Sequence, residues 1–79
     1  MGKIKNWRKL KEGRWQHTSH PDFVVEWYQD EDNGLYYIDV WKQSWHVNID
    51  VANNKRHANM AAVEWMREVS DIQAFWGED

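Results

Sequence analysis

The sequence predicts an α+β fold: a four-stranded antiparallel sheet, with three core strands, packed on one face by a C-terminal helix. Two observations favour it. Between residues 13 and 53, short segments of alternating apolar and polar residues are separated by turn residues. Between 54 and 76, apolar residues recur at spacings of three and four. Because 79 residues provide only one hydrophobic core, we expect a single domain with the order ββββα.

The predicted strands are separated by glycine, proline and asparagine. Gly13 precedes the first strand, and Pro21 follows it in a loop because proline lacks a backbone N–H. Asn33-Gly34 is typical of a two-residue type I′ turn, in which both residues have positive φ. A second two-residue loop is expected at Gln43-Ser44. The strands are predicted at Arg14–Ser19, Phe23–Asp30, Leu35–Lys42 and Trp45–Ala52.

These loops predict a register, and the register predicts two faces. Trp27 lies opposite Val40 and Val40 opposite Val47, so both hairpins place apolar residues on the same face. The face towards the helix is predicted to contain Phe23, Val25, Trp27, Tyr36, Ile38, Val40, Trp45, Val47, Ile49 and Val51. The outward face is predicted to contain Val24, Glu26, Tyr28, Asp30, Leu35, Tyr37, Asp39, Trp41, His46, Asn48, Asp50 and Ala52. This outward face is aromatic and acidic, with four carboxylates and neither lysine nor arginine.

The C-terminal helix is predicted to begin after Asn54, a residue type that caps helices by accepting a hydrogen bond from the first turn. Its apolar residues form one wide face that would cover the sheet. They are Ala58, Ala62, Trp65, Met66, Val69, Ile72 and Trp76. Lys55, Arg56 and His57 in the first turn are interpreted as solvated, with a small anion site as the alternative.

The N-terminal segment is basic and the rest of the chain is acidic. The first fourteen residues hold six basic residues and one acidic residue, a net charge of +5, whereas the rest holds four basic and twelve acidic residues, a net charge of −8. Apolar residues at spacing three predict that 1–12 forms a short amphipathic helix or an irregular arm. In a further alternative this arm covers the outward face, with Trp7 and Leu10 packed on Trp41 and Tyr37.

The composition excludes several classes of protein. The chain has no cysteine, which excludes disulfides and thiolate metal sites. Seven tryptophans, three tyrosines and two phenylalanines provide a dense core for a small domain. No apolar run approaches the roughly 18 residues of a membrane span, and no signal-peptide pattern follows Met1. We therefore expect a cytoplasmic protein with no membrane partner.

The segment from the end of the fourth predicted strand into the helix resembles part of known DNA-binding domains. The residues Asn54-Lys55-Arg56-His57-Ala58, then Ala62 and Trp65-Met66, resemble the ending of three-stranded sheet-plus-helix DNA-binding domains. These are the arm-binding domains of phage integrases and the plant ethylene-response-type domains, and the resemblance covers about residues 23–69. It implies that the outward face enters the DNA major groove through basic residues.

The chain departs from this pattern on the outward face. Glu26, Asp39 and Asp50 occupy positions where basic residues would neutralise phosphates, so the architecture is expected without the DNA-reading role. The Ala-x-x-x-Ala-x-x-Trp-Met helix also resembles small proteins from archaea, their viruses and phages. That likeness implies no activity.

Two binding functions are predicted. The first is a non-enzymatic protein-interaction or self-association module, because aromatic residues dominate interface hot spots. Its candidate residues are Tyr28, Tyr37, Trp41, Glu26, Asp39 and His46. The alternative is nucleic-acid binding, in which exposed aromatics stack on bases and the basic segment contacts phosphates. Its candidate residues are Lys3, Lys5, Arg8, Lys9, Lys11 and Arg14.

No catalytic, metal or cofactor site is predicted, and no small-molecule substrate is evident. Histidines accompany an aspartate in two places, but neither has a recognised metal-binding spacing. These residues are His17, His20 and Asp22, and His46 and Asp50. Ser19 completes a set of triad residue types, yet neighbours on one strand do not converge on a pocket. We therefore expect that the protein is not an enzyme.

Overall fold

A computed structural model describes residues 4–69 and residue 72, and these form five antiparallel strands followed by one helix. The strands are β1 (Trp7–Lys11), β2 (Arg14–His17), β3 (Phe23–Gln29), β4 (Tyr36–Lys42) and β5 (Trp45–Ala52), and the helix is α1 (Lys55–Glu68). The strands neighbour one another in chain order, and α1 packs on one side of the sheet. The predicted α+β class and C-terminal helix are confirmed, but the predicted number of four strands is wrong.

The additional strand is β1, in the segment predicted to be a helix or an irregular arm. Trp7 lies opposite His17 and Lys9 lies opposite Trp15, so β1 extends the sheet beyond β2. The Trp7 ring is buried, with its centroid 6.4 Å from that of Trp65 in α1. A strand here gains ladder hydrogen bonds and buries an indole, whereas an isolated helix of this length is marginal in water.

The loop between β3 and β4 differs from the predicted type I′ turn. Trp27 lies opposite Ile38 rather than Val40, which lengthens the loop to residues 31–34. The Gly34 N–H donates to the Asp30 carbonyl at 2.8 Å, and of the loop residues only Gly34 has positive φ, 75°. The register shift is even, so the side chains of β3 and β4 stay on their predicted faces.

The loop between β4 and β5 is the predicted two-residue loop. Lys42 lies opposite Trp45, which leaves Gln43 and Ser44 between them. Gln43 adopts a left-handed φ of 56°. The predicted register also holds where Val40 lies opposite Val47, so this hairpin is confirmed over the first half of β5.

A β-bulge alters the second half of β5. Beyond Asn48, Asp50 rather than Ile49 lies opposite Ile38. The extra residue reverses the faces that follow, because side chains alternate along a strand. Val51 therefore lies opposite Tyr37 on the outward face, and Ala52 packs against the core, the reverse of the prediction.

The hydrophobic core lies between the sheet and α1. Its buried residues are Trp7, Trp15, Phe23, Val25, Ile38, Val40, Ala58, Ala62, Met66 and Ile72. The predicted cap is confirmed, since Asn54 Oδ1 accepts from the His57 N–H at 2.8 Å. α1 ends at Glu68, where Val69 becomes extended, and Ile72 is again helical; the other residues of the predicted helix beyond Val69 lie outside the described residues. The predicted apolar Trp76 lies outside the described residues.

α1 crosses the sheet diagonally. It begins next to Ala52, at the end of β5, and its Trp65 reaches Trp7 on β1. The start of β5 is the corner farthest from this path. Trp45 is consequently 74% exposed and Val47 is 45% exposed, although both were predicted to be covered by the helix.

Candidate functional site

The side of the sheet opposite α1 is uncovered by any other element of the described chain, and we term it the open face. The strand register places on it Arg8, Lys11, Arg14, Gln16, Val24, Glu26, Tyr28, Tyr37, Asp39, Trp41, His46, Asn48 and Val51. All six candidates for protein binding lie here. The prediction that this face has no lysine or arginine is wrong, because β1 and β2 add three basic residues to it.

A polar row crosses the middle of the open face. Its residues lie opposite one another on successive strands, in the order Lys11, Arg14, Glu26, Asp39 and Asn48. Arg14 Nη1 lies 3.6 Å from Glu26 Oε2. Two cations and two carboxylates give the row no formal net charge, so the open face is mixed in charge rather than acidic.

Asp39 lies at the centre of this row but is only 1% exposed, the sole buried charged side chain among the described residues. Asn48 Nδ2 lies 3.1 Å from Asp39 Oδ1, and also within hydrogen-bond distance of the Ile38 and Asp50 carbonyls beside the bulge. The Tyr28 hydroxyl is a second partner of Asp39. Asp39 therefore stabilises the sheet from within and is not an accessible contact, which corrects its predicted role.

Aromatic side chains lie on one side of the polar row. Tyr28 and Tyr37 lie opposite each other with ring centroids 5.9 Å apart, and Val51 extends this row onto β5. Burial, followed by the hydrogen bond to Asp39, raises the pKa of Tyr28 to about 12. Tyr28 therefore remains a neutral hydrogen-bond donor at physiological pH while part of its ring is exposed.

A second aromatic pair lies on the other side of the polar row. The Trp41 and His46 rings are 4.4 Å apart and tilted by only 30°, so His46 covers one side of the indole. The Trp41 Nε1 atom is shielded from solvent and has no acceptor within the described residues. A buried donor without an acceptor costs about 1–3 kcal/mol. Such a donor is therefore unusual in a native fold.

The residues predicted to contact nucleic acid are divided between the two sides of the sheet. Arg8, Lys11 and Arg14 lie on the open face, and Arg8 Nη2 donates to Gln16 Oε1 at 3.0 Å. Lys9 lies instead on the side of α1, with Nζ 5.9 Å from the centre of the Trp15 ring. Lys5 is exposed before β1, and Lys3 lies outside the described residues.

The alternative in which the N-terminal segment covers the open face is wrong. Trp7 packs on the opposite side of the sheet, and Leu10 is 45% exposed. Tyr37 and Trp41 therefore have no cover from residues 4–12, the described part of this segment.

The histidines and carboxylates have local structural partners rather than a shared centre. His17 Nδ1 accepts from the backbone N–H groups of Ser19 and His20, each at 3.1 Å. Asp22 contacts Gln43, and Asp50 Oδ1 accepts from the backbone of the next residue. Within residues 4–69 and 72, no three histidine, aspartate or glutamate side chains are arranged to hold a metal ion.

The first turn of α1 also has partners. Lys55 Nζ lies 3.6 Å from Glu12 Oε2, in the turn between β1 and β2. The Asn54 side chain satisfies the His57 N–H, one of the donors that an anion would use. This hydrogen bond and this ion pair are the contacts of an ordinary capped helix start.

We expect His17 to make the fold acid-sensitive. Burial, with a smaller contribution from the charge of His20, lowers the pKa of His17 from its usual 6.5. The unfolded chain therefore takes up this proton first, and the free energy of unfolding should fall as pH drops below about 6.5. Urea unfolding at pH 7 and pH 5 should show a smaller loss in His17→Asn, which retains an acceptor but does not titrate.

The control for this measurement is His57→Asn, at an exposed position on α1. It should lose stability on acidification as the unmodified protein does. An equal loss in His17→Asn would contradict the assignment to His17.

Comparison with known proteins adds no relative: no family model matches the sequence, and no curated protein or solved structure matches it significantly. The resemblance to DNA-binding domains therefore stays a prediction. In the described part of the chain, the one helix is too short and too polar to cross a membrane.

Proposed function

We propose that this protein is a non-enzymatic binding module whose open face recognises a partner protein. The observation that carries the proposal is the arrangement of two aromatic pairs on either side of a polar row without net charge. Tyrosine, tryptophan and arginine are the residue types most enriched in interface hot spots, and all three occur here. Tyr28, Tyr37, Trp41 and His46 supply the apolar contact area.

The polar row would fix the orientation of a bound partner rather than attract the partner from a distance. Arg14 and Glu26 form an ion pair at 3.6 Å, and a partner that approaches this pair must match its direction. Asp39 and Asn48 are hydrogen-bonded to each other at the centre of the row. A surface that is preformed by such hydrogen bonds loses less conformational entropy on binding, which favours affinity.

Single-stranded nucleic acid is the second candidate, because β1 and β2 place Arg8 and Lys11 on the same face as the aromatics. Bases would stack on exposed rings while these cations contact phosphates. The two carboxylates of the polar row, Glu26 and Asp39, reduce the positive potential that phosphate binding needs. We therefore place a protein partner first.

Site-specific photo-crosslinking in the native cells separates these functions. Benzoylphenylalanine would replace Tyr37, which lies on the open face one strand in from the β5 edge, and, as the control, Met60, an apolar residue of α1 that is 48% exposed. We expect a discrete protein adduct from position 37 and none from position 60. Circular dichroism of both purified variants would verify the fold.

The other outcomes decide against the proposal. A nuclease-sensitive adduct from position 37, weakened by Arg8→Gln with Lys11→Gln, would establish the nucleic-acid function instead. Equal adducts from both positions, or none from either, would contradict recognition through the open face.

A further inference from the structure

The two edges of the sheet differ in how they are protected. Edge strands expose unpaired backbone N–H and C=O groups, and charged side chains, lysine especially, are one protection against pairing with another chain. The β1 edge carries Arg8, Lys9 and Lys11 among its five residues. The β5 edge has eight residues and contains neither lysine nor arginine. Within the described chain, β5 is thus the long edge without cationic protection.

The β5 edge is also apolar on both sides of the sheet. Trp45 is 74% exposed and Val47 is 45% exposed on the side of α1, while Val51 is 46% exposed on the open face. A strand added to this edge would satisfy the backbone groups and place its side chains about 4.5–5.5 Å from these residues. The ligand suited to such an edge is another extended, apolar strand.

β5 itself has the required pattern. In an antiparallel pair of two β5 strands centred on Val47, Trp45 of one copy lies opposite Ile49 of the other. His46 lies opposite Asn48, so apolar residues meet apolar residues on the side of α1 and polar residues meet on the open face. No lysine, arginine or carboxylate lies within this paired segment, which ends at Ile49, the extra residue of the bulge.

The competing edge pairings are less favourable. Pairing β1 with β1 would bring the lysines and Arg8 of two copies together, and like charges opposite one another are destabilising. Pairing β1 with β5 would place Lys9 against the apolar Trp45 and Val47, and it would form an open chain of subunits. Pairing β5 with β5 closes around a twofold axis.

We propose that two copies of this protein pair antiparallel through β5, centred on Val47, to form a dimer with one continuous ten-stranded sheet. The pairing uses the β5 edge and the side of α1, with His46 and Asn48 at its border on the open face. Partner recognition is centred on Tyr37 and Trp41, which lie on β4, one strand in from that edge. The two proposals can therefore fail independently.

Light scattering of the full chain over a concentration series tests the dimer. The unmodified protein should approach twice the 9.6 kDa chain mass at high concentration. Trp45→Lys and Val47→Lys should shift the mass towards the monomer. The matched controls Leu10→Lys on the β1 edge and Met60→Lys on α1, at 45% and 48% exposure, should leave it unchanged.

A single cysteine tests the register, because the natural chain contains none. In the proposed pair Val47 faces its own copy, so Val47→Cys should form a disulfide-linked dimer on mild oxidation with diamide. Leu10→Cys and Met60→Cys should remain largely uncrosslinked. This test does not depend on whether a lysine at position 47 weakens the fold.

Three results would overturn the proposal. The first is a monomer at every concentration of the unmodified chain. The second is dimer loss in Leu10→Lys equal to that in Trp45→Lys, which would indicate pairing between β1 and β5. The third is crosslinking of Leu10→Cys at the rate of Val47→Cys.

Discussion

Asn48→Ala is expected to lower the free energy of unfolding by about 3 kcal/mol, because it removes the amide donor beside a buried carboxylate. Asp39 is 1% exposed and would lose its Asn48 partner while keeping the Tyr28 hydroxyl. The variant would also leave the Ile38 and Asp50 carbonyls without the Asn48 amide next to the bulge. Urea unfolding monitored by circular dichroism would measure the change.

A nearby exposed position provides the control. Asp50→Asn keeps the oxygen that accepts from the Val51 N–H, and its stability should change by less than about 0.5 kcal/mol. The double variant Asp39→Ala with Asn48→Ala should lose less than the sum of the two single variants, because the two side chains form one hydrogen-bonded unit. Strict additivity would contradict this coupling.

Gly13→Ala is expected to destabilise the fold by about 3 kcal/mol through two separate effects. Gly13 has φ of 83°, which any L side chain adopts with strain. A Cβ atom at this position would also lie 3.0–3.2 Å from ring atoms of Trp27. Trp27 is partly buried against the core, with Nε1 3.4 Å from Asn59 Oδ1.

Gly34→Ala separates these effects. Gly34 has a similar φ of 75°, but a Cβ atom there would have no neighbour within 4 Å. It should therefore show only the backbone strain, about 1–2 kcal/mol. Chemical denaturation of the two variants side by side would measure the difference. Equal losses would mean that Trp27 moves aside without cost.

Sequence reasoning predicted which residues face the helix on β3 and β4 even though it placed their loop wrongly. The reason is the period of two along a strand: a register change of two residues leaves every side chain on its own face. The loop was misread because Asp30 and Asn33 accept hydrogen bonds from backbone N–H groups and so stabilise a longer turn. The dipeptide Asn33-Gly34 alone does not distinguish the predicted two-residue turn from the observed loop of residues 31–34.

Three features of the sheet could not be read from local patterns. The bulge in β5 leaves no mark on the hydrophobic alternation, so Val51 was placed on the wrong face. β1 was missed because Trp7 and Leu10 also fit a helical spacing, and with it the basic part of the open face was missed. The exposure of Trp45 depends on the path of α1, which is a tertiary property.

The chain-order arrangement of the strands has a consequence for how the protein folds. Each strand pairs with the strand next to it in sequence, so the sheet can assemble by successive hairpins that close short loops at low entropic cost. Within the described chain, the contact between Trp65 and Trp7 and the ion pair between Lys55 and Glu12 join α1 to the β1 end of this order. Local topologies of this kind fold faster than sheets built from distant strands, and the docking of α1 on β1 is the step that closes the longest loop.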